Sequence, residues 1–307
     1  MALDIVCMGE PMLEFNQDPA STDPVLYRKG HGGDTANSAV AAARQGARVG
    51  YLTALGTDAF GDDFMALWER EGIDTSRVLR NPDAHTGIYF VTHGAKGHEF
   101  SYMRAGSAAS RMKPEQVPAD YVASAKFLHI SGISQAISAD ACDSVFAAID
   151  AARKAGTKVS YDTNLRLRLW PIERARAVMN ATAAMADVLL PSLDDATALT
   201  GLEDADAIAD FYLKLGAKLV AVKLGPQGSL VASPDWRERV PGRTVKAVDA
   251  TGAGDTFAGS FLAELARGAE PRAAARYANA AAALSTQGFG AVAPIPRREA
   301  VEAFLAS

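Results

Sequence analysis

Asp249-Ala250-Thr251-Gly252-Ala253-Gly254-Asp255-Thr256-Phe257 stands immediately ahead of a strong helical run, Thr256–Arg267. Small residues let backbone approach a ligand closely. The amides at a helix start then point at an anion, and the helix dipole adds roughly 0.3–1 kcal/mol. An acid at the mouth of such a cradle, here Asp255, can take a proton from a substrate hydroxyl, which is typically worth about 10²–10⁴-fold. A Gly-rich N-cap with an acidic first turn has the same local sequence. The stretch therefore gains its meaning from what surrounds it.

Working outward, the chain alternates strand and helix. Leu3–Gly9 is a continuous apolar run, as expected of a strand buried on both faces. Thr35–Gln45 is Ala-rich and helical, with Asp34 as N-cap and Gly46 as its stop. Val49–Leu55 reads as a strand and Phe60–Glu71 as a helix ended by Gly72. Phe127–Ser131 is a strand, and Ala139–Ala155 a helix stopped by Gly156. Lys158–Tyr161, Val188–Leu190 and Leu219–Lys223 are further strands with helical segments between them, and Thr251–Gln287 is mainly helical with a break near Gly268–Pro271. This alternation predicts an α/β fold with a mostly parallel sheet covered by helices on both faces. Two segments break the rhythm. Thr86–His93 and His98–Arg104 alternate on either side of Gly94-Ala95-Lys96-Gly97, a hairpin signal. Leu13–Gly30 carries Pro19 and Pro24 and no helical period. Together they predict a small β layer inserted into the α/β body.

Composition bounds the function. Of 307 residues, 49% are hydrophobic and 22% charged, the balance of a folded globule. A net charge of −5 disfavours binding to nucleic-acid backbones or anionic lipid. No apolar run approaches the roughly 18–20 residues that span a bilayer. Met1–Met8 reads as a first strand and not a signal peptide. Cys7 and Cys142 sit in apolar segments without metal-ligand spacing, which favours inert thiols and a cytoplasmic setting. The five histidines form no pair at metal spacing, and His129 is expected to be a satisfied core residue. Arg237–Arg243 reads as a solvated turn.

A second motif, Gly32-Gly33-Asp34-Thr35-Ala36-Asn37, precedes a helix and suits a polar loop that grips hydroxyls. Neither Gly-x-Gly-x-x-Gly nor a Gly-Lys-Ser/Thr P-loop is present. The N-terminal Gly-Gly loop, the C-terminal Gly-Ala-Gly-Asp helix start and Val222-Lys223-Leu224-Gly225-Pro226-Gln227-Gly228 between them resemble the PfkB, or ribokinase-like, carbohydrate kinases over almost the whole chain. That resemblance implies a single three-layer α/β/α sandwich over 1–307, with a β lid from about 11–31 and 85–107. Thr53-Ala54-Leu55-Gly56-Thr57-Asp58, Ser131-Gly132-Ile133, Asp162-Thr163-Asn164-Leu165-Arg166, Leu169-Trp170 and Ser101-Tyr102-Met103-Arg104 look like 2-keto-3-deoxygluconate kinases.

By that resemblance Asp255 is the base on the O6 hydroxyl, and the amides of Gly252, Ala253 and Gly254 form the anion hole. Gly33, Asp34, Asn37, Tyr89, Tyr102, Arg104, Asn164 and Arg166 hold the sugar acid. Lys223, Gly225, Gly228 and Asn279 line the ATP site, with Gly252 and Gly254. Mg²⁺, stimulation by K⁺ and a homodimer through the lid are also implied. The family's Asn-x-x-Glu motif appears as Ser192-Leu193-Asp194-Asp195, so Asp195 is expected to meet Mg²⁺ through water. One physical check is independent of resemblance. Residues two apart on a strand share a face, so Tyr102 and Arg104 point together, with Tyr89 able to join them from the partner strand. Two phenols and a guanidinium suit a polyhydroxy acid, since Arg grips a carboxylate bidentately. The alternatives are a fructokinase, a 5-keto-2-deoxygluconate kinase, a nucleoside kinase or a non-catalytic sugar-acid sensor.

Overall fold

The computed structural model describes every residue except Met1, Pro19, Ala20, Thr22, Pro24, Ala95 and Lys96, and the side chains at 94, 97 and 98. The turn of the expected hairpin therefore lies largely outside the described residues. In chain order the elements are β1 (Leu3–Met8), β2 (Met12–Gln17), β3 (Tyr27–Gly32), α1 (Asp34–Arg44), β4 (Val49–Leu52), β5 (Ala54–Gly56) and α2 (Ala59–Arg70). Then come β6 (Leu79–Asn81), β7 (Gly87–Gly94), β8 (Gly97–Met103), α3 (Ala119–Ala123), β9 (Ala125–Ser131), α4 (Gly132–Ala136), α5 (Ala139–Ala155) and β10 (Lys158–Asp162). The last third holds α6 (Ile172–Ala183), β11 (Val188–Leu189), α7 (Leu193–Thr200), α8 (Ala205–Leu215) and β12 (Leu219–Lys223). It continues with β13 (Gly228–Ala232), β14 (Arg237–Pro241), α9 (Ala253–Ala266), α10 (Pro271–Ser285) and α11 (Arg298–Ala306).

The main sheet runs β14-β13-β12-β11-β10-β9-β1-β4. Strands β4 through β12 in that row pair in parallel, and β13 and β14 close the far edge antiparallel. The sheet is buried on both faces, and β1 shows why its sequence is continuously apolar. Ile5 and Cys7 enter one core, with α1, α2, α9 and α10, while Val6 and Met8 enter the other, with α3, α5, α6 and α8. Helix starts follow local chemistry: Asp58, Ser138 and Asp204 each accept a backbone N–H in the first turn.

The inserted β layer is a separate sheet ordered β3-β2-β7-β8. Leu13–Gly30 supplies two of its strands, paired from Met12↔Gly32 to Gln17↔Tyr27. The expected strand Val49–Leu55 is broken. Thr53 separates β4 from β5, which leaves the main sheet to pair with β6. Arg237–Arg243 is not a solvated turn. Its first five residues are edge strand β14, where Arg237 pairs with Asp206 and Asp210, and Arg239 with Asp206. Charge on an edge strand discourages further pairing, so the basic residues mark an edge. His129 is buried and bonded through Nδ1 to Ser160 Oγ at 3.1 Å. Cys7 and Cys142 are free and buried. No helix among the described residues is long and apolar enough to cross a membrane.

One close packing positions the site. Helix α9 crosses α1 at Gly259, where a Cβ would overlap the Ser38 carbonyl oxygen. Any side chain there would push the helices apart. Their N-terminal ends, which carry Asn37 and Asp255, meet because it is absent.

Candidate active site

Strands β9, β10 and β12 end at Ser131, Asp162 and Lys223 on the carboxyl edge of the sheet, where α/β folds bind ligands. Helix α9 starts over this edge, with Gly252 at φ 75° as its N-cap and Asp255 in its first turn. The Asp255 carboxylate is gripped from two sides. Asn37 Nδ2 of α1 donates to Oδ2 at 2.8 Å, and Asn164 Nδ2 donates to Oδ1 at 3.5 Å. Ser38 Oγ also donates to the Asp255 carbonyl, at 3.1 Å. Asn164 has φ 35°, the only non-glycine with positive φ among the described residues. Asn tolerates this left-handed conformation, and such strain is concentrated at functional sites. Burial, with the nearby Asp34 carboxylate and then Asp162, pushes the Asp255 pKa up to about 7, against the pull of Asn37 and Lys223. An acid poised there can accept a proton at neutral pH.

The anion cradle departs from expectation at Ala253, whose amide is already used. No described residue accepts a hydrogen bond from the amides of Gly252, Gly254 or Asp255, whereas the Ala253 amide donates to the Ala250 carbonyl at 3.2 Å. The loop is braced by Asp249. Its Oδ1 accepts from the Thr251 amide and hydroxyl at 2.9 and 2.7 Å, and its Oδ2 from the Gly290 amide at 2.9 Å. Lys223 Nζ lies 3.5 Å from where a Cβ on Gly254 would stand, so an ammonium borders the cradle. Asp162 holds that ammonium in an ion pair whose side chains are only 14% and 2% exposed. Asp195 accepts from the Leu165 amide at 3.1 Å and the Thr163 hydroxyl at 3.4 Å, and burial raises its pKa. Among the described residues, no group of three or more His, Cys, Asp or Glu could hold a metal ion.

Beside Asp255 the surface suits hydroxyls. Asp34 Oδ1 and Asn37 Oδ1 are buried and find no partner among the described residues, while Asp34 Oδ2 accepts from Ser131 Oγ. Buried acceptors without donors are costly, and a polyol would supply the missing O–H groups. The paired glycines ahead of α1 have separate reasons. A Cβ on Gly32 would strike the Tyr89 hydroxyl at 2.5 Å, and Gly33 takes φ 99° with the Glu10 carbonyl standing where any Cβ would go.

Over this surface lies the second sheet. Tyr89 and Tyr102 are directly opposed in the β7–β8 register, with ring centroids 5.9 Å apart. The Arg104 guanidinium sits 5.8 Å from the Tyr102 ring. Burial raises the pKa of both Tyr89 and Asp34; the Asp255 carboxylate adds slightly to the first, and the Arg104 charge offsets part of the second. Tyr89 and Arg104, however, are already bonded to carboxylates that sequence reasoning missed. Tyr89 donates to buried Glu14 at 2.6 Å, and Arg104 pairs with buried Glu10. The available signal was two acids, Glu10 and Glu14, in an otherwise apolar strand region, Ile5–Phe15. Asp162 carried a similar signal as an acid ending a buried strand.

Other expected residues lie apart. Arg166 is exposed and donates to the neighbouring Leu165 carbonyl at 2.8 Å, while its charge reaches Asp195. Gly225 opens an exposed turn with nothing within 4 Å of a Cβ, but Gly228 is buried against the Val240 carbonyl. Asn279 is buried and fastens α10 to β14, donating to the Val240 and Pro241 carbonyls at 3.0 and 3.4 Å. No described contact joins it to the Lys223 cluster.

A carboxylate at a helix start, amides unpaired among the described residues, a bordering ammonium and buried hydroxyl acceptors suit phosphoryl transfer to an alcohol. The chain belongs to the pfkB family of carbohydrate kinases, whose profile matches residues 2–298. It is an ATP-dependent sugar kinase of ribokinase-like fold. It is 34% identical to 2-dehydro-3-deoxygluconokinase of Bacillus subtilis (strain 168), over 100% of this chain and 97% of that protein. It is also 32% identical to probable fructokinase-5 of Arabidopsis thaliana, over 95% of this chain and 94% of that one. Its fold superposes with a TM-score of 0.91 on a putative ribokinase II from E. coli in complex with ATP and Mg²⁺, at 26% identity and 99% coverage of both chains.

Proposed function

We propose that this kinase phosphorylates O6 of 2-keto-3-deoxygluconate. Asp255 takes the O6 proton as that oxygen attacks the γ-phosphorus, the bond to the bridging oxygen breaks and ADP leaves. The amides of Gly252, Gly254 and Asp255, with Lys223, face the phosphoryl charge. Mg²⁺ bound with the nucleotide would offset phosphate charge, and Asp195 would help hold it through water. Gly33, Asp34, Asn37 and Asn164 hold the hydroxyl side, while Tyr89, Tyr102 and Arg104 hold the acid side. Stimulation by K⁺ and a homodimer through the lid belong to the same reading. Strands β3 and β8 are the open edges of the lid sheet, and open edges invite pairing. Sedimentation velocity should give twice the mass of one chain, and a monomer would remove the lid dimer.

The observation that carries the substrate is Arg104, a guanidinium whose side chain is 12% exposed and whose charge reaches Asp34. A neutral hexose has no use for it. One observation favours a second reading, fructokinase: Glu10 already neutralises Arg104. ADP release with ATP·Mg²⁺ across 2-keto-3-deoxygluconate, its galactonate epimer, fructose, ribose and adenosine decides between them. Turnover confined to the keto acids is expected, and a preference for fructose would overturn the acid reading. Arg104→Ala should raise KM for the keto acid by roughly 10- to 100-fold, because a hydrogen bond to a charged group is worth about 1.5–3 kcal/mol. KM for ATP should stay put.

A further inference from the structure

Glu10 follows β1 at the point where the chain leaves the main sheet for the lid. Its side chain is 0% exposed. Oε2 accepts from Arg104 Nε at 2.8 Å and from Arg104 Nη2, and Oε1 accepts from Ser107 Oγ. A Cβ on Gly87 would stand 2.9 Å from Oε1, so the start of β7 packs against the same carboxylate. One acid thus touches the entry of β7 and the exit of β8 from its own place ahead of β2. It also uses only part of the guanidinium. Nε and Nη2 are engaged, and among the described residues Nη1 forms no hydrogen bond or ion pair. The charge of that guanidinium is felt at Asp34, whose Oδ1 is one of the orphaned acceptors.

A buried Arg–Glu pair adds little stability over an apolar pair of the same volume, because both ions lose their water. Its effect on geometry is larger. A guanidinium held along one edge keeps its other edge pointing one way. We propose that Glu10 is a positioning residue. It clamps Arg104 by Nε and Nη2 so that Nη1 faces the substrate acid, and it ties that orientation to the roots of the lid. This rests on the reading of Arg104 as a substrate contact.

The test is a double-mutant cycle on the full chain with Glu10→Gln, Arg104→Ala and the pair, each first checked for folding by its melting curve. Glu10→Gln keeps the shape and an acceptor but removes the charge. KM for 2-keto-3-deoxygluconate should rise roughly tenfold while kcat and the KM for ATP move much less. In the Arg104→Ala background the same change should add almost nothing, because Glu10 then has no guanidinium to hold. An equal KM increase with and without Arg104 would make Glu10 an independent structural residue and overturn the proposal, as would an unchanged KM in Glu10→Gln. If Glu10→Gln fails to fold, Glu10→Asp carries the same cycle, the shorter acid loosening the clamp while keeping its charge. A wild-type preference for fructose overturns the acid reading and this role together, whereas additivity measured on the keto acid overturns the Glu10 role alone.

Discussion

Asp255→Asn is expected to lower kcat by about 10²–10⁴-fold while sugar binding persists, since the amide keeps the shape but cannot take a proton. The wild-type pH profile should carry the same signature. With Asp255 ionising at about 7, kcat/KM should rise with pH up to about 7 and level off above it. The profile of the Asp255→Asn variant should be flat through that range. The sign for stability is opposite. The folded pKa lies above the ordinary 3.8, so between the two values the unfolded chain loses its proton first, and folding stability falls as pH rises. Each pKa unit is worth about 1.4 kcal/mol, so the ionised Asp255 burdens the fold by roughly 4 kcal/mol above pH 7. Asp255→Asn should therefore melt higher than wild type at pH 8 and at nearly the same temperature near pH 4. Full turnover in the variant would remove Asp255 as the base. Equal melting at pH 8 would mean that its surroundings do not disfavour the charge.

Lys223→Met should have the second-largest effect, on both activity and stability. Removing a preorganised donor at a developing oxyanion typically lowers kcat by about 10²–10³-fold. Lys223 borders the cradle at Gly254, so its loss should lower kcat and raise KM for ATP. The variant also strands Asp162, a carboxylate whose side chain is 2% exposed. Breaking a buried pair by removing one partner costs about 3–5 kcal/mol. Replacing both partners, Lys223→Met with Asp162→Asn, should recover much of the melting temperature and none of the activity. Recovery of activity in the double variant would reduce Lys223 to a structural cation. Thermal melts and initial rates on wild type, Lys223→Met and the double variant separate these outcomes.

Much of the site was legible in the chain because its signals are short-range. Gly252 through Asp255 announce a helix start, and helix starts bind anions by local geometry alone. The period of a strand placed Tyr102 opposite Tyr89, as the register shows, but β8 ends at Met103, and Arg104 stands just beyond it, paired with Glu10. The split of Val49–Leu55 at Thr53 was not legible. Nothing in its residues marks a break at Thr53, and only the competing partner β6 draws Ala54–Gly56 away. Arg237–Arg243 misled because charge resembles solvated loop unless the acidic partners, Asp206 and Asp210 on α8, are known to lie alongside.

What the sequence by itself determined is therefore the layered α/β body, the inserted β layer, the anion-binding helix start and the acid that stands on it. All follow from propensity, periodicity and spacing within a few residues. Only the tertiary structure decided which groups meet that acid and what the lid cation is doing. The Asn37–Asp255 bond spans 218 positions, and Arg104–Glu10 spans 94. Lys223–Asp162 joins two non-adjacent strands of one sheet. Such partners are set by crossover order, strand register and the close approach of α1 and α9 at Gly259. None of these leaves a local trace in the chain.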